Sequence, residues 1–208
     1  MKLHTLRSLL KAASVAFISG LLFTSCGGTP VIDRSNKMIV SVKDQTMLLM
    51  KDGKTVKSYR ISTSKFGLGN TRNSKKTPLG RMEIARKIGG GSKSGTVFKS
   101  RKKTGEILKP NTPGRDPIVS RIIWLKGNEY RNRFTYSRYI YIHGTPEEYT
   151  IGTPASYGCI RMKSRDIIDL YSRVGLGAEV KIIPGHLNKT SEEGQSAVAL
   201  QKANDAGA

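Results

Sequence analysis

The chain has 208 residues, with 36 Lys+Arg against 15 Asp+Glu and a formal net charge of +21 at pH 7. An excess of that size calls for anionic surroundings: nucleic acid, phospholipid headgroups or an acidic polymer. The N-terminal export signal argues against nucleic acid, no dense Lys/Arg helical stripe or nucleic-acid-binding signature is present either, and an envelope polymer or a membrane surface is the better partner.

Residues 1–11 carry Lys2, Arg7 and Lys11 without an acidic residue and run into the apolar stretch 12–23. That stretch has the length of a signal-peptide core and is too short to span a bilayer. It ends in Leu22-Phe23-Thr24-Ser25-Cys26-Gly27-Gly28, which resembles a bacterial lipoprotein cleavage box, with Phe23 where Leu is usual. The resemblance implies that residues 1–25 are removed, that Cys26 is acylated, and that the protein is held at a membrane on the periplasmic side of a bacterial envelope. An ordinary secretory signal, leaving Cys26 as a spare thiol, is the alternative. Gly27 after Cys26 fits outer-membrane sorting. Residues 26–36 are polar and turn-rich and read as a tether.

From residue 38 the pattern becomes that of strands. Short apolar or alternating runs at 38–42, 46–50 and 55–61 are separated by turns, of which Lys51-Asp52-Gly53-Lys54 is a hairpin signal. Further strands are expected at 81–86, 118–125, 138–142 and 178–183. Between them, 88–117 is rich in Gly, Ser, Lys and Pro, with only scattered apolar anchors such as Val97, Phe98, Ile107 and Leu108. It reads as a long functional loop whose Lys93, Lys99, Arg101, Lys102 and Lys103 form a solvated face, the alternative being that they guide an anionic glycan strand towards a cleft. One helix is expected over 165–174, with Ser164 as its N-cap and Gly175 at its stop. Residues 185–208 read as a disordered tail. The fold class is thus mainly β, a single domain over 37–184 with one or two short helices.

With Cys26 assigned to lipid attachment, Cys159 has no thiol partner and cannot form a structural disulfide. A cysteine attacks as thiolate, so it needs an imidazole or positive charge nearby. His4 falls in the leader and His186 in the tail, leaving His143 as the base, at a strand end sixteen positions before Cys159. Gly158 removes bulk beside the nucleophile, and the Cys159 amide is a natural oxyanion donor. Arg161 lies on the same side of an extended chain as Cys159 and is placed to grip a substrate carboxylate. A buried, inert thiol is the plain alternative. No clustered ligands for a metal are evident.

His143-Gly144-Thr145, followed by Ser156-Tyr157-Gly158-Cys159-Ile160-Arg161, resembles the catalytic signature of the L,D-transpeptidases, the YkuD-type domain. Thr77-Pro78-Leu79-Gly80 resembles that family's Thr-Pro-x-Gly element. Many members carry His where this chain has Tyr157. The resemblance implies a β-sandwich or barrel-like domain acting on peptidoglycan stem peptides without metal or organic cofactor. Cys159 would be the nucleophile, His143 its base, the Gly158 and Cys159 amides the oxyanion hole, and Arg161 the carboxylate-binding residue. Ser156 would hydrogen-bond behind the site, while Tyr157 and Gly144 would border the substrate. The outcome is a cross-link if an amine resolves the acyl-enzyme and carboxypeptidase trimming if water does. A non-enzymatic wall-binding lipoprotein is the remaining reading. Oligomeric state is not legible, and a monomer is the default.

Overall fold

The computed structural model describes residues 31–187; the leader with Cys26 and the tail from residue 188 lie outside the described residues. The alternating runs become ten strands and one helix: β1 (Asn36–Ser41), β2 (Thr46–Lys51), β3 (Lys54–Arg60), β4 (Gly80–Ile88), β5 (Thr96–Lys99), β6 (Lys102–Ile107), β7 (Ile118–Gly127), β8 (Tyr141–Gly144), β9 (Ile160–Met162), α1 (Ser164–Arg173) and β10 (Glu179–Ile183). The Asp52-Gly53 turn joins β2 to β3 with both residues at positive φ, as a tight hairpin demands.

The strands pair in the order β3-β2-β1-β10-β4-β7, with β8 on β7 and β9 on β8. The chain just beyond β3 then closes the circuit. Ser62 N–H donates to Arg161 O and Arg161 N–H to Ser62 O, each at 2.9 Å. The mainly β fold is therefore a sheet curled back on itself. Its interior holds Met38, Val40, Met47, Leu49, Met82, Ile84, Ile142 and Ile160, all buried, and α1 lays Ile167 and Leu170 against them. Each such side chain contributes about 1.5–3 kcal/mol by leaving water, which makes this interior the main source of stability.

Three local expectations change. The stretch 88–117 is not one long loop but contains the β5–β6 hairpin. Val97 and Phe98 pair with Val119 and Ile118 of β7, while β6 is an exposed edge strand carrying Lys102 and Lys103. The connecting turn places Ser100 and Arg101 at positive φ without a glycine, and lysines on the strand keep the edge from templating aggregation. Residues 138 and 139 lie in a turn, with Tyr139 at φ 57°, so β8 starts only at Tyr141. The helix begins at Ser164, whose amide is held by Glu148 Oε1 at 2.7 Å, while its own hydroxyl accepts from Ser120 Oγ at 2.9 Å. The cap comes from a distant loop instead of from Ser164.

Both ends of the described chain are tied down. Asp33 N–H donates to Leu176 O at 2.7 Å, and Asp33 Oδ2 accepts from Gly175 N–H at 2.7 Å. Asp44 receives Leu187 N–H at 2.7 Å and pairs with His186.

Candidate active site

The parallel pair β8 and β9 runs in the register Ile142↔Ile160 and His143↔Arg161. Strand side chains alternate between faces. Ile142, Ile160 and Met162 enter the barrel interior, so Tyr141, His143, Cys159 and Arg161 share the opposite face. On that face Ile122 and Trp124 of β7 pair with His143 and Tyr141. They form a second, smaller cluster with Phe98 and Tyr141, and Cys159 packs on it. The period of two thus sorts four chemically active residues onto one wall.

Cys159 is a free, half-buried thiol. Its Sγ accepts the Tyr141 N–H at 3.4 Å and lies 3.4 Å from Tyr139 O. Burial pushes the thiol up to about 11; the Tyr141 amide and the Arg138 and Arg161 charges oppose this, and Asp116 adds to it. The resting thiol therefore carries its proton and needs a base.

His143 is 6% exposed. Its Nδ1 lies 2.9 Å from Gly144 O. A carbonyl only accepts, so Nδ1 carries the proton and Nε2 keeps its lone pair. Burial holds the imidazole below its ordinary value, against smaller opposing contributions from the Gly144 carbonyl and Asp116. It is neutral near pH 7. Gly144 is required by close approach, because a Cβ there would lie 2.6 Å from Val119 O and 3.1 Å from Ile167 Cγ2.

The loop before Cys159 is shaped from within. Ser156 Oγ donates to Cys159 O at 2.6 Å and accepts Gly158 N–H at 3.2 Å. Thr77 Oγ1 donates to Gly158 O at 3.1 Å and accepts Ser64 N–H at 3.0 Å, which brings the Thr77-Pro78-Leu79-Gly80 element to the site. Gly158 sits at φ +119°, a conformation that side chains rarely adopt. Its amide, expected to help line an oxyanion hole, is engaged by Ser156.

Arg161 also departs from expectation. It is 2% exposed, and its guanidinium meets Glu147 Oε2 at 2.7 Å, Asp116 Oδ2 at 3.0 Å, Thr145 Oγ1 at 3.0 Å and Ala155 O at 3.1 Å. Thr145 Oγ1 in turn donates to Asp116. Two carboxylates of the protein already fill the place foreseen for a substrate carboxylate, so Arg161 braces the loops around His143 and Cys159. Thr145 was read only as part of the signature motif, and Asp116 and Glu147 were not foreseen. Their one signal is two acids standing beside prolines, Asp116-Pro117 and Pro146-Glu147, and nothing local links them to Arg161.

Above Cys159 opens a cleft of about 330 Å³ whose walls include Arg72, Lys75, Arg138, Tyr139 and Tyr157. Tyr157 is 58% exposed and receives a hydrogen bond from Lys65 Nζ at 3.2 Å. The Lys75 ammonium lies 5.5 Å from its ring centroid.

A barrel with thiol, imidazole and cationic cleft on one wall has the parts of a cysteine acyl-transfer site. The family described as YkuD, L,D-transpeptidase catalytic domain, matches residues 35–182. The chain belongs to that family. A Bacillus licheniformis protein named as an L,D-transpeptidase YkuD is 49% identical over 43 residues, 21% of this chain and 26% of that protein. The chain thus spans about a quarter of that curated relative. Among solved structures, an L,D-transpeptidase from Mycobacterium smegmatis is similar at a TM-score of 0.47 and 17% identity, covering 72% of this chain and 58% of that one. Another from Xylanimonas cellulosilytica has a TM-score of 0.47 and 17% identity, over 74% of this chain and 63% of its own.

Proposed function

We propose that this protein is a peptidoglycan L,D-transpeptidase whose nucleophile is Cys159. The observation that supports the reading is that Cys159 Sγ accepts the Tyr141 amide on the sheet face that also carries a neutral, Nδ1-protonated His143. His143 Nε2 takes the thiol proton as Sγ attacks the carbonyl carbon of a stem tetrapeptide's diamino acid. The Cys159 amide stabilises the developing oxyanion. The C–N bond to the terminal D-Ala breaks, its amine leaves with the proton from His143, and a thioester remains. An amine of a second stem peptide then attacks the thioester, Cys159 regains its proton, and a cross-link forms.

Arg161 acts in this scheme as a positioning residue. It ties the Asp116 and Glu147 loops to the strand that follows the nucleophile. The formal charge of +21 suits work beside an anionic wall, and an acylated Cys26, left after removal of residues 1–25, would hold the domain at an envelope membrane.

Mass spectrometry of the protein with a purified disaccharide-tetrapeptide, beside Cys159→Ala, tests the proposal. Cysteine-dependent loss of D-Ala with dimeric muropeptides is expected. Tripeptide alone would make the enzyme a carboxypeptidase, and no cysteine-dependent product would overturn the reading.

A further inference from the structure

We propose that Arg138 is the specificity-determining residue of the Cys159 site and reads the free carboxylate at the C-terminal end of the donor peptide. This inference deepens the proposed function and rests on it. With Arg161 closed off by Glu147 and Asp116, a different cation must meet that carboxylate. A chain advances only about 3.3–3.6 Å per residue, so a carboxylate one residue past the attacked carbonyl stays inside the cleft that holds the thiol.

The cleft wall contains Arg72, Lys75 and Arg138 and no Asp or Glu among the described residues. None of the three belongs to an ion pair among the described residues, although elsewhere basic side chains such as Arg173 and Lys126 have found carboxylates. Arg72 and Lys75 are exposed and lie over Phe134 and Tyr157 rings. Arg138 differs. Its guanidinium is half-buried and fixed by neutral acceptors alone: Gly69 O at 3.1 Å, Asn70 Oδ1 at 3.2 Å and Lys76 O at 2.7 Å.

Those three bonds orient the guanidinium without neutralising it. Of five N–H donors, the Nε–H and one on Nη2 have no partner among the described residues, and a carboxylate can accept from both. The position is right as well. Tyr139, the next residue, offers its carbonyl to the Cys159 thiol, and the Arg138 charge acts on that thiol. A pre-oriented, unneutralised fork beside the nucleophile fits an anion supplied by substrate, and a C-terminal carboxamide would leave it unmatched.

The test is calorimetric binding to the Cys159→Ala protein of a disaccharide-tetrapeptide and of its C-terminal carboxamide. The carboxylate form should bind at least about tenfold more tightly, the size expected for losing one charge-assisted contact. Arg138→Gln should bring the ratio to near one, and Arg138→Lys should restore part of it. A merely structural arginine would weaken both ligands equally and leave the ratio unchanged. Equal binding by the parent, no binding of either ligand, or a ratio that survives Arg138→Gln overturns the assignment. D-Ala release by the unmutated protein is followed separately. If the ratio behaves as expected but no D-Ala is released, the acyl-transfer reading fails while Arg138 remains the carboxylate site.

Discussion

Arg161 and Glu147 meet at 2.7 Å beneath the site, with the arginine almost wholly buried and the carboxylate about a quarter exposed. This pair and the neighbouring Asp116 contact bind two other stretches of chain to β9. Removing one member of a buried pair strands the other charge, typically at about 3–5 kcal/mol. Arg161→Ala should therefore lower unfolding stability by about 3 kcal/mol, near the low end because both acids keep some contact with water. Arg161→Lys should lose less, keeping charge but not the fork. Urea titration measures both; a loss under about 1 kcal/mol for Arg161→Ala would show that the cluster is already relaxed by solvent.

Much of the barrel was legible because strand period is a local property. The runs around Met38–Val40, Met47–Leu49, Ile122–Leu125 and Val180–Ile182 alternate or stay apolar, and these are the residues that fill the two clusters. The motif named Cys159 and His143 together and parity put Arg161 on the side of Cys159, but the wall that Cys159 shares with His143 depends on the β8–β9 register, which no local pattern shows. The β5–β6 hairpin escaped because its turn uses Ser100 and Arg101 at positive φ and its edge strand, Lys102–Ile107, is mostly polar and contains Gly105. The partners of Arg161 escaped for another reason. Asp116 and Glu147 are 45 and 14 positions away, and only the folded loops bring them in. A basic residue in so basic a chain gives no sign of whether it will face substrate, as proposed for Arg138, or the protein's own acids, like Arg161.

Thr77 is a buried hinge between two loops, serving Gly158 O and Ser64 N–H with a single hydroxyl. Thr77→Val keeps the shape and orphans both backbone groups. An unsatisfied buried group costs about 1–3 kcal/mol, so stability should fall by roughly that amount. Turnover should fall more steeply than stability predicts, because Gly158 precedes the nucleophile. Thr77→Ser should recover most of both. Unfolding curves and D-Ala release measure the two, and an unaltered turnover in Thr77→Val would remove Thr77 from the positioning of Cys159.

Gly158→Ala tests the backbone directly. At φ +119° a Cβ is strained whatever room exists, and here it would also stand 3.3 Å from Lys76 O and 3.4 Å from Lys75 O. Strain of this kind costs about 1–3 kcal/mol. The expected result is a stable, folded protein with turnover down by at least about tenfold, since a displaced loop misaims Sγ. Near-normal kcat would mean that the loop finds an equivalent path.

The pH behaviour of the two reacting groups should separate. Burial depresses His143, so the unfolded chain takes up that proton near pH 6.5 while the folded one resists. Stability from this group is complete above about 6.5 and declines as pH falls below it, and the acid limb of kcat/KM should lie below that value as well. Cys159 moves the other way, up to about 11. The folded chain keeps a proton that the unfolded chain gives up near 8.5, so its contribution holds below about 8.5 and is lost as pH rises towards 11. In the His143→Gln protein, iodoacetamide should alkylate Cys159 about tenfold faster per pH unit between 7 and 10, because only thiolate reacts. Wild-type turnover should already be fully developed near neutrality, since His143 removes the proton during attack rather than before it. An alkylation rate that levels off by pH 8 would instead mark Cys159 as a resting thiolate, and the base-catalysed order of events would have to be reversed.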